Sequence, residues 1–300
     1  MKRVAMEPNP FVEDPKNHEL DRLLVTQILS GSQDALEQLI EKHRRWIYNI
    51  AFRMVMTAQD AEDVTQEVLV KIITKLSSFD PEKGRFRTWL YRIVSNHVIN
   101  MKTRGFEASV DNIENYYTAI QGIPDQDPED TPETQLLTTD LAISCVMGTL
   151  LCLDRRQRLA FILAIGFNVT DQVGAEVMEI SKSNFRKILS RARDHLHHFM
   201  DQNCGMYNSN ATCRCRKKIL SIKAAGGLSA ENLQFYKKNT PMLRDLIGNM
   251  SGAAHGESSP EHARLFRDHP FYKGTDKVMW LKDLLKKESI QKILQFELSH

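Results

Sequence analysis

Three histidines and three cysteines crowd residues 195–218, HLHHFMDQNCGMYNSNATCRCRKK, and these side-chain types could bind a metal or answer to an oxidant. Thiolate sulfur and imidazole nitrogen are the tetrahedral ligands that zinc prefers. His198, or else His195, with Cys204, Cys213 and Cys215 supplies the right number. The spacing is not that of a standard zinc finger, because a single residue separates Cys213 from Cys215. A thiol redox switch is the second reading, since the positive charge of Arg214, Arg216, Lys217 and Lys218 would lower a nearby thiol pKa. A turn without chemistry is the third. A metalloenzyme would need an acid or base beside its metal, and Asp201 is the one acidic residue between these ligands. We therefore expect no enzyme and no required cofactor, with zinc the ion that the cluster would take.

A second kind of chemistry is recognition by charge. In residues 59–76, Val64, Val68, Ile72 and Leu76 recur every fourth position, with Leu69 and Ile73 beside them, which is the apolar stripe of an amphipathic helix. Asp60, Glu62, Asp63, Gln66 and Glu67 fall away from that stripe. After a short loop at residues 80–84, Phe86, Leu90, Ile93, Val94, His97 and Met101 form another stripe. Its opposite side carries Arg85, Arg87, Trp89, Arg92, Asn96, Lys102 and Arg104. An acidic helix followed directly by a basic, aromatic-bearing one suits two different partners.

A second basic face lies further on. Residues 155–165 read as a helix stopped by Gly166, Thr170 or Asp171 caps a short helix to 178, and Ser181 caps a long one to about 200. That order is a helix-turn-helix. On the last helix Phe185, Ile188, Leu189, Ala192, Leu196 and Phe199 face inward, leaving Lys182, Ser183, Asn184, Arg186, Lys187, Ser190, Arg191 and Arg193 outside. Donors at the start of such a helix reach base edges, and the later cations neutralise phosphates.

The elements that position these faces are helical throughout, so the fold class expected is all-α. The 300 residues, 42% hydrophobic and 26% charged, allow two or three packed domains. Residues 1–17 read as a flexible leader and 18–104 as a four-helix domain, with His43 on its apolar side as a core residue. From 105 to 138 there is no lysine or arginine, acidic residues dominate, and Pro124, Pro128 and Pro132 interrupt any helix, which makes this segment an acidic linker. Residues 139–202 hold the helix-turn-helix domain, with Cys145 and Cys152 in its core. Residues 203–220 are a Cys-rich basic segment and 221–300 a helical C-terminal extension. No apolar run reaches the roughly 20 residues of a membrane span, and MKRVAMEPNPFVEDP lacks the apolar core of a secretory signal, so we expect a cytoplasmic protein with no membrane partner.

The sequence DAEDVTQEVLVKI followed by FDPEKGRFRTWLYRIVSNHV resembles region 2 of bacterial RNA polymerase sigma factors, and most of all the small extracytoplasmic-function group. The resemblance implies that the acidic helix docks on the clamp helices of core RNA polymerase, and that the loop and basic helix bind and melt promoter DNA. Leu153, Gln157, Arg158, Ala175, Ile180, Ser181, Phe185, Arg186, Leu189, Arg191, Ala192, Arg193 and Leu196 resemble region 4, which reads the upstream promoter element. Two positions depart from the pattern: Asp154 stands where proline is usual, and Glu179 fills a turn where glycine is frequent. The resemblance also implies that the linker threads the RNA-exit path, and that a cysteine-rich C-terminal segment senses metal. An anti-sigma or other regulatory protein is expected as a further partner of the chain, and the extension is expected to cover part of the sigma domains or to dock on another protein. The competing class is a conventional helix-turn-helix regulator, which would bind a symmetric operator as a dimer without polymerase.

Overall fold

The computed structural model describes residues 10, 11, 15–103, 105–110, 113–231 and 233. Most of the expected C-terminal extension, and Arg104, lie outside the described residues. The architecture is all-α: among the described residues the backbone forms helices and turns and no strand, with one isolated bridge between Cys204 and Cys213.

Helices α1 (Pro15–Leu29), α2 (Gln33–Val55), α3 (Ala58–Thr74) and α4 (Phe86–Asn100) make the first unit. Ser32 and Thr57 cap α2 and α3 by accepting the amides of Ala35 and Asp60. Met56, in the left-handed region at φ 64°, turns the chain sharply between them. The apolar stripes meet as their spacing requires: Val64, Val68, Leu69, Ile72 and Leu90 are buried with Ile47, Ile50 and Met54 of α2. His43 lies in that core, as expected.

The expected leader does not reach 17. Helix α1 begins at Pro15, and Phe11 packs at 4.5 Å, tilted, on the buried Tyr91. Nor is 105–138 a bare linker. It holds α5 (Gly105–Ser109), α6 (Ile113–Gln121) and the start of α7 (Pro132–Gly148). Pro132 occupies the first turn of α7, where its missing N–H costs nothing, and Thr131 caps it in a capping box with Thr134. Residues 122–131 are the extended part.

Together with the following 3₁₀ turn, α7 runs Pro132–Cys152, 21 residues that include an 18-residue window of mean hydropathy 1.4, so one stretch does have the length and composition of a membrane span. We read it as a core helix, because Leu137, Ala142, Ile143, Val146 and Met147 are buried against the rest of the fold. Helices α8 (Arg155–Phe161), α9 (Asp171–Met178), α10 (Lys182–Asn203) and α11 (Cys215–Ala224) complete the second unit, with a π turn at Ile162–Gly166.

The two units share one continuous apolar core. Phe167, 1% exposed, sets its ring edge-on to Trp46 of α2 at 5.3 Å and lies 5.5 Å from the Arg53 guanidinium. Arg158, also buried, donates to the carbonyls of Met54, Leu150, Leu151 and Leu153 and to Glu107 Oε1 at 2.7 Å. Arg155 completes the clasp with paired bonds of 3.0 and 2.7 Å to the same carboxylate. Burial would raise the Glu107 pKa, but the hydrogen bonds and charges of Arg155 and Arg158 outweigh it and hold the acid below its ordinary value.

Candidate polymerase and nucleic-acid interfaces

The acidic face of α3 divides into residues turned into the fold and residues exposed to solvent. Asp60 sits in the first turn, accepts the Thr57 hydroxyl at 2.5 Å, and is the atom group a Cβ at Gly105 would strike. Glu62 accepts Arg44 Nη2 at 2.9 Å in a mostly buried pair. Asp63 is exposed, Gln66 half-buried, and Glu67 exposed with an oxygen 3.2 Å from His97 Nε2. The outward acidic surface is therefore centred on Asp63 and Glu67.

On α4 the side assigned to DNA is only partly open. Arg87 is a correction: it is 5% exposed, with Nε 2.7 Å from Asp21 Oδ2 and Nη1 2.7 Å from the Pro10 carbonyl. Asp21 also takes Lys42 Nζ at 2.7 Å and His43 Nε2 at 3.3 Å. Desolvation pushes the Asp21 pKa up, yet the hydrogen bonds and charge of His43, Arg87 and Lys42 win and hold it far below the usual range. Burial lowers the His43 pKa against the pull of Asp21. Arg87 is thus a structural cation bound into the core.

Trp89 is half-buried, packed on Phe79 and Phe86 at ring distances of 5.7 and 5.6 Å. Arg85 and Lys102 are exposed. Arg92 Nε donates to the Glu176 carbonyl at 2.9 Å, and Asn96 Nδ2 to Glu179 Oε2 at 2.6 Å. Both acceptors belong to α9 and the turn after it, so the second unit lies against the face of α4 expected to meet DNA.

The helix-turn-helix forms as the sequence requires. Thr170 caps α9 and Ser181 caps α10, accepting the amides of Val173 and Asn184. Asp154, the residue in place of proline, caps α8 by accepting the Gln157 amide at 2.9 Å. Glu179 is in the left-handed region at φ 55°, ψ 43°, the conformation for which glycine is the low-cost residue. At Gly174 an added Cβ would run into the Phe185 ring, so glycine sets how closely α9 crosses α10. Lys182, Ser183, Asn184, Arg186, Lys187, Ser190 and Arg191 are all exposed on one face of α10. Arg186 Nε pairs with Asp171 Oδ2 at 2.5 Å while remaining 61% exposed.

In the cysteine segment the three thiols come together without the candidate histidines. His195 and His198 are exposed, and among the described residues no three His, Cys, Asp or Glu side chains form a group able to hold a metal. Cys204, Cys213 and Cys215 instead line an apolar pocket with Cys145 of α7, which sequence reading had placed in the core alone. Burial raises the pKa of all four thiols and exceeds the lowering by Arg214 at Cys204 and by Lys218 and Arg214 at Cys213. Arg216, Lys217 and Lys218 are spent on the acidic segment, at Asp130, Asp127 and Asp125.

The model of sigma-70 region 2 matches residues 39–105. The chain is similar to the ECF RNA polymerase sigma factor SigW of Bacillus subtilis, 34% identical over 76 residues, which are 25% of this chain and 40% of SigW. It is similar to the RNA polymerase sigma factor CnrH of Cupriavidus metallidurans, 29% identical over 185 residues, or 60% of this chain and 94% of CnrH. A solved structure of CnrH in complex with the cytosolic domain of CnrY overlaps 61% of this chain and 97% of that one, at 24% identity and a TM-score of 0.43. The chain spans less than half the length of SigW and nearly all of CnrH. Residues 39–105 are thus a sigma-70 region 2 domain, and the chain is similar to extracytoplasmic-function RNA polymerase sigma factors.

Proposed function

We propose that this chain is a promoter-specificity subunit that binds core RNA polymerase, recognises promoter DNA through two helical units, and assists strand opening. It acts by binding and not by bond chemistry, in the cytoplasm. The observation that carries the reading is the pairing of an outward acidic patch, Asp63 and Glu67 on α3, with an uninterrupted exposed cationic face on α10. The acidic patch suits basic clamp helices. Arg186, Lys187 and Arg191 suit phosphates flanking base edges, which Lys182, Ser183 and Asn184 would meet.

Opening a duplex takes a base out of the stack at a cost of a few kcal/mol, and stacking on an aromatic returns about 1–3 kcal/mol. Trp89, with Phe79 beside it above the 80–84 loop, is the group placed to do this. In the present arrangement α9 covers part of α4 through Arg92 and Asn96. We therefore read the structure as a closed state, with core polymerase drawing the two units apart before α4 meets promoter DNA. Co-elution of the purified chain with bacterial core polymerase, at low and high salt, tests the reading: a stable stoichiometric complex supports it, and separate elution at every salt concentration refutes it.

A further inference from the structure

We infer that Cys204 and Cys213 are a reversible disulfide pair that staples the end of the recognition helix to the far end of the loop following it. Cys204 caps α10, accepting the amides of Tyr207 and Asn208 at 3.0 and 2.8 Å. Among the described residues the one isolated backbone bridge joins Cys204 to Cys213, and the Gly205 amide donates to the Cys213 carbonyl at 3.1 Å. Bridged backbones run roughly 4.8 Å apart, within the roughly 4.4–6.8 Å between Cα atoms that a disulfide needs.

The loop is built to hold this register. Arg214 donates to the carbonyls of Ser209, Ala211 and Cys213, and a Cβ at Gly205 would collide with the Arg214 guanidinium and the Cys213 carbonyl. Both thiols line the same apolar pocket and are partly buried, as is Cys145, whereas Cys215 is fully buried. Cys215 opens α11, and its sulfur is 3.4 Å from the Met206 thioether.

The chemistry balances with a hydroperoxide as oxidant. Two S–H bonds break, one S–S bond forms, and two electrons and two protons pass to the peroxide, which leaves as an alcohol (or water) and water. A thiol reductant reverses the step. Burial keeps both thiols protonated at neutral pH, and the thiolate is the attacking species, so the pair responds to sustained oxidant exposure. The consequence is mechanical: α11 grips residues 123–128 through Lys218 on the Ile123 carbonyl at 2.5 Å and the Gln126 amide on the Lys217 carbonyl at 2.8 Å. The bond therefore ties the recognition helix to that acidic segment.

The test needs no transcription and so stands apart from the promoter reading. The full chain is treated with hydrogen peroxide or with diamide, free thiols are blocked with N-ethylmaleimide, and peptides are mapped by mass spectrometry. One disulfide joining Cys204 to Cys213, reversed by dithiothreitol, present in Cys215→Ser and absent from both Cys204→Ser and Cys213→Ser, is expected. A bond to Cys145 or Cys215 in the wild-type chain, thiols that stay reduced under both oxidants, or bound stoichiometric zinc that shields them would each overturn the assignment.

Discussion

Asn96 and Glu179, 83 residues apart in sequence, are joined by a 2.6 Å hydrogen bond from Nδ2 to Oε2. The bond links the basic helix of one unit to the turn of the helix-turn-helix in the other. It places a residue expected to read promoter DNA against the residue that departs from glycine in the turn.

Replacing Glu179 with glycine sets two effects against each other. A non-glycine residue in the left-handed region costs about 1–2 kcal/mol, and the exposed hydrogen bond contributes about 0.5–1.5 kcal/mol. Glu179→Gly should therefore shift the thermal midpoint by no more than about 6 °C, while amide hydrogen exchange speeds up around residues 92–98 and 172–179. Unchanged exchange would show that this bond does not hold the two units together.

The two neighbouring acids of α3 should behave differently when their charge is reversed. Asp63 is exposed, so Asp63→Arg should leave stability within about 0.5 kcal/mol and weaken association with core polymerase at least about tenfold through like-charge opposition. Glu62 pairs with Arg44 in a mostly buried setting, so Glu62→Arg should lower the thermal midpoint as well. Calorimetry and a core-binding titration separate the two, and equal loss of stability in both variants would contradict the division of this face.

On α10, Arg186→Ala with Lys187→Ala should weaken binding to promoter DNA without loss of core binding. If each contacts one phosphate, the log–log slope of affinity against salt should fall by about 2, at about 0.9 per contact. An unchanged slope would remove this face from the DNA interface. The Arg186–Asp171 pair is exposed and contributes little to stability.

Acid should unfold the chain through its first unit. Both Asp21 and His43 have folded pKa values below their ordinary ones, so each binds protons more weakly in the native state and favours folding at neutral pH. The His43 contribution begins to fall as pH drops through its ordinary value of about 6.5, and that of Asp21 as pH drops below about 3.9. Asp21→Asn should cost about 3–5 kcal/mol at pH 7, because Arg87 and Lys42 lose their buried counter-ion. Denaturant titrations from pH 4 to 8 check the trend and the variant. A stability independent of pH across that range would contradict it.

The helices and their inward faces could be read from apolar spacing alone, because burial of one stripe decides both. The turn at Glu179 was legible too, since its conformation follows from local backbone sterics. Arg87 was not: its place opposite the apolar stripe says nothing of α1, whose Asp21 reaches it from 66 residues away. Counting prolines hid α5 and α6, which precede Pro124, and hid the role of Pro132 as a helix start. Glu107 looked like one more linker acid, while its two arginine partners lie in the other unit. Cys145 joined the thiols only because the loop after α10 comes to lie against α7, a contact with no local signature.

The central claim is promoter-directed initiation. Run-off transcription with purified core polymerase, the full chain and a pool of promoter fragments should give transcripts of defined start sites that vanish when the chain is omitted and fall sharply with Asp63→Arg. Transcripts indifferent to the chain, with core enzyme active on a control sigma factor, would contradict the account.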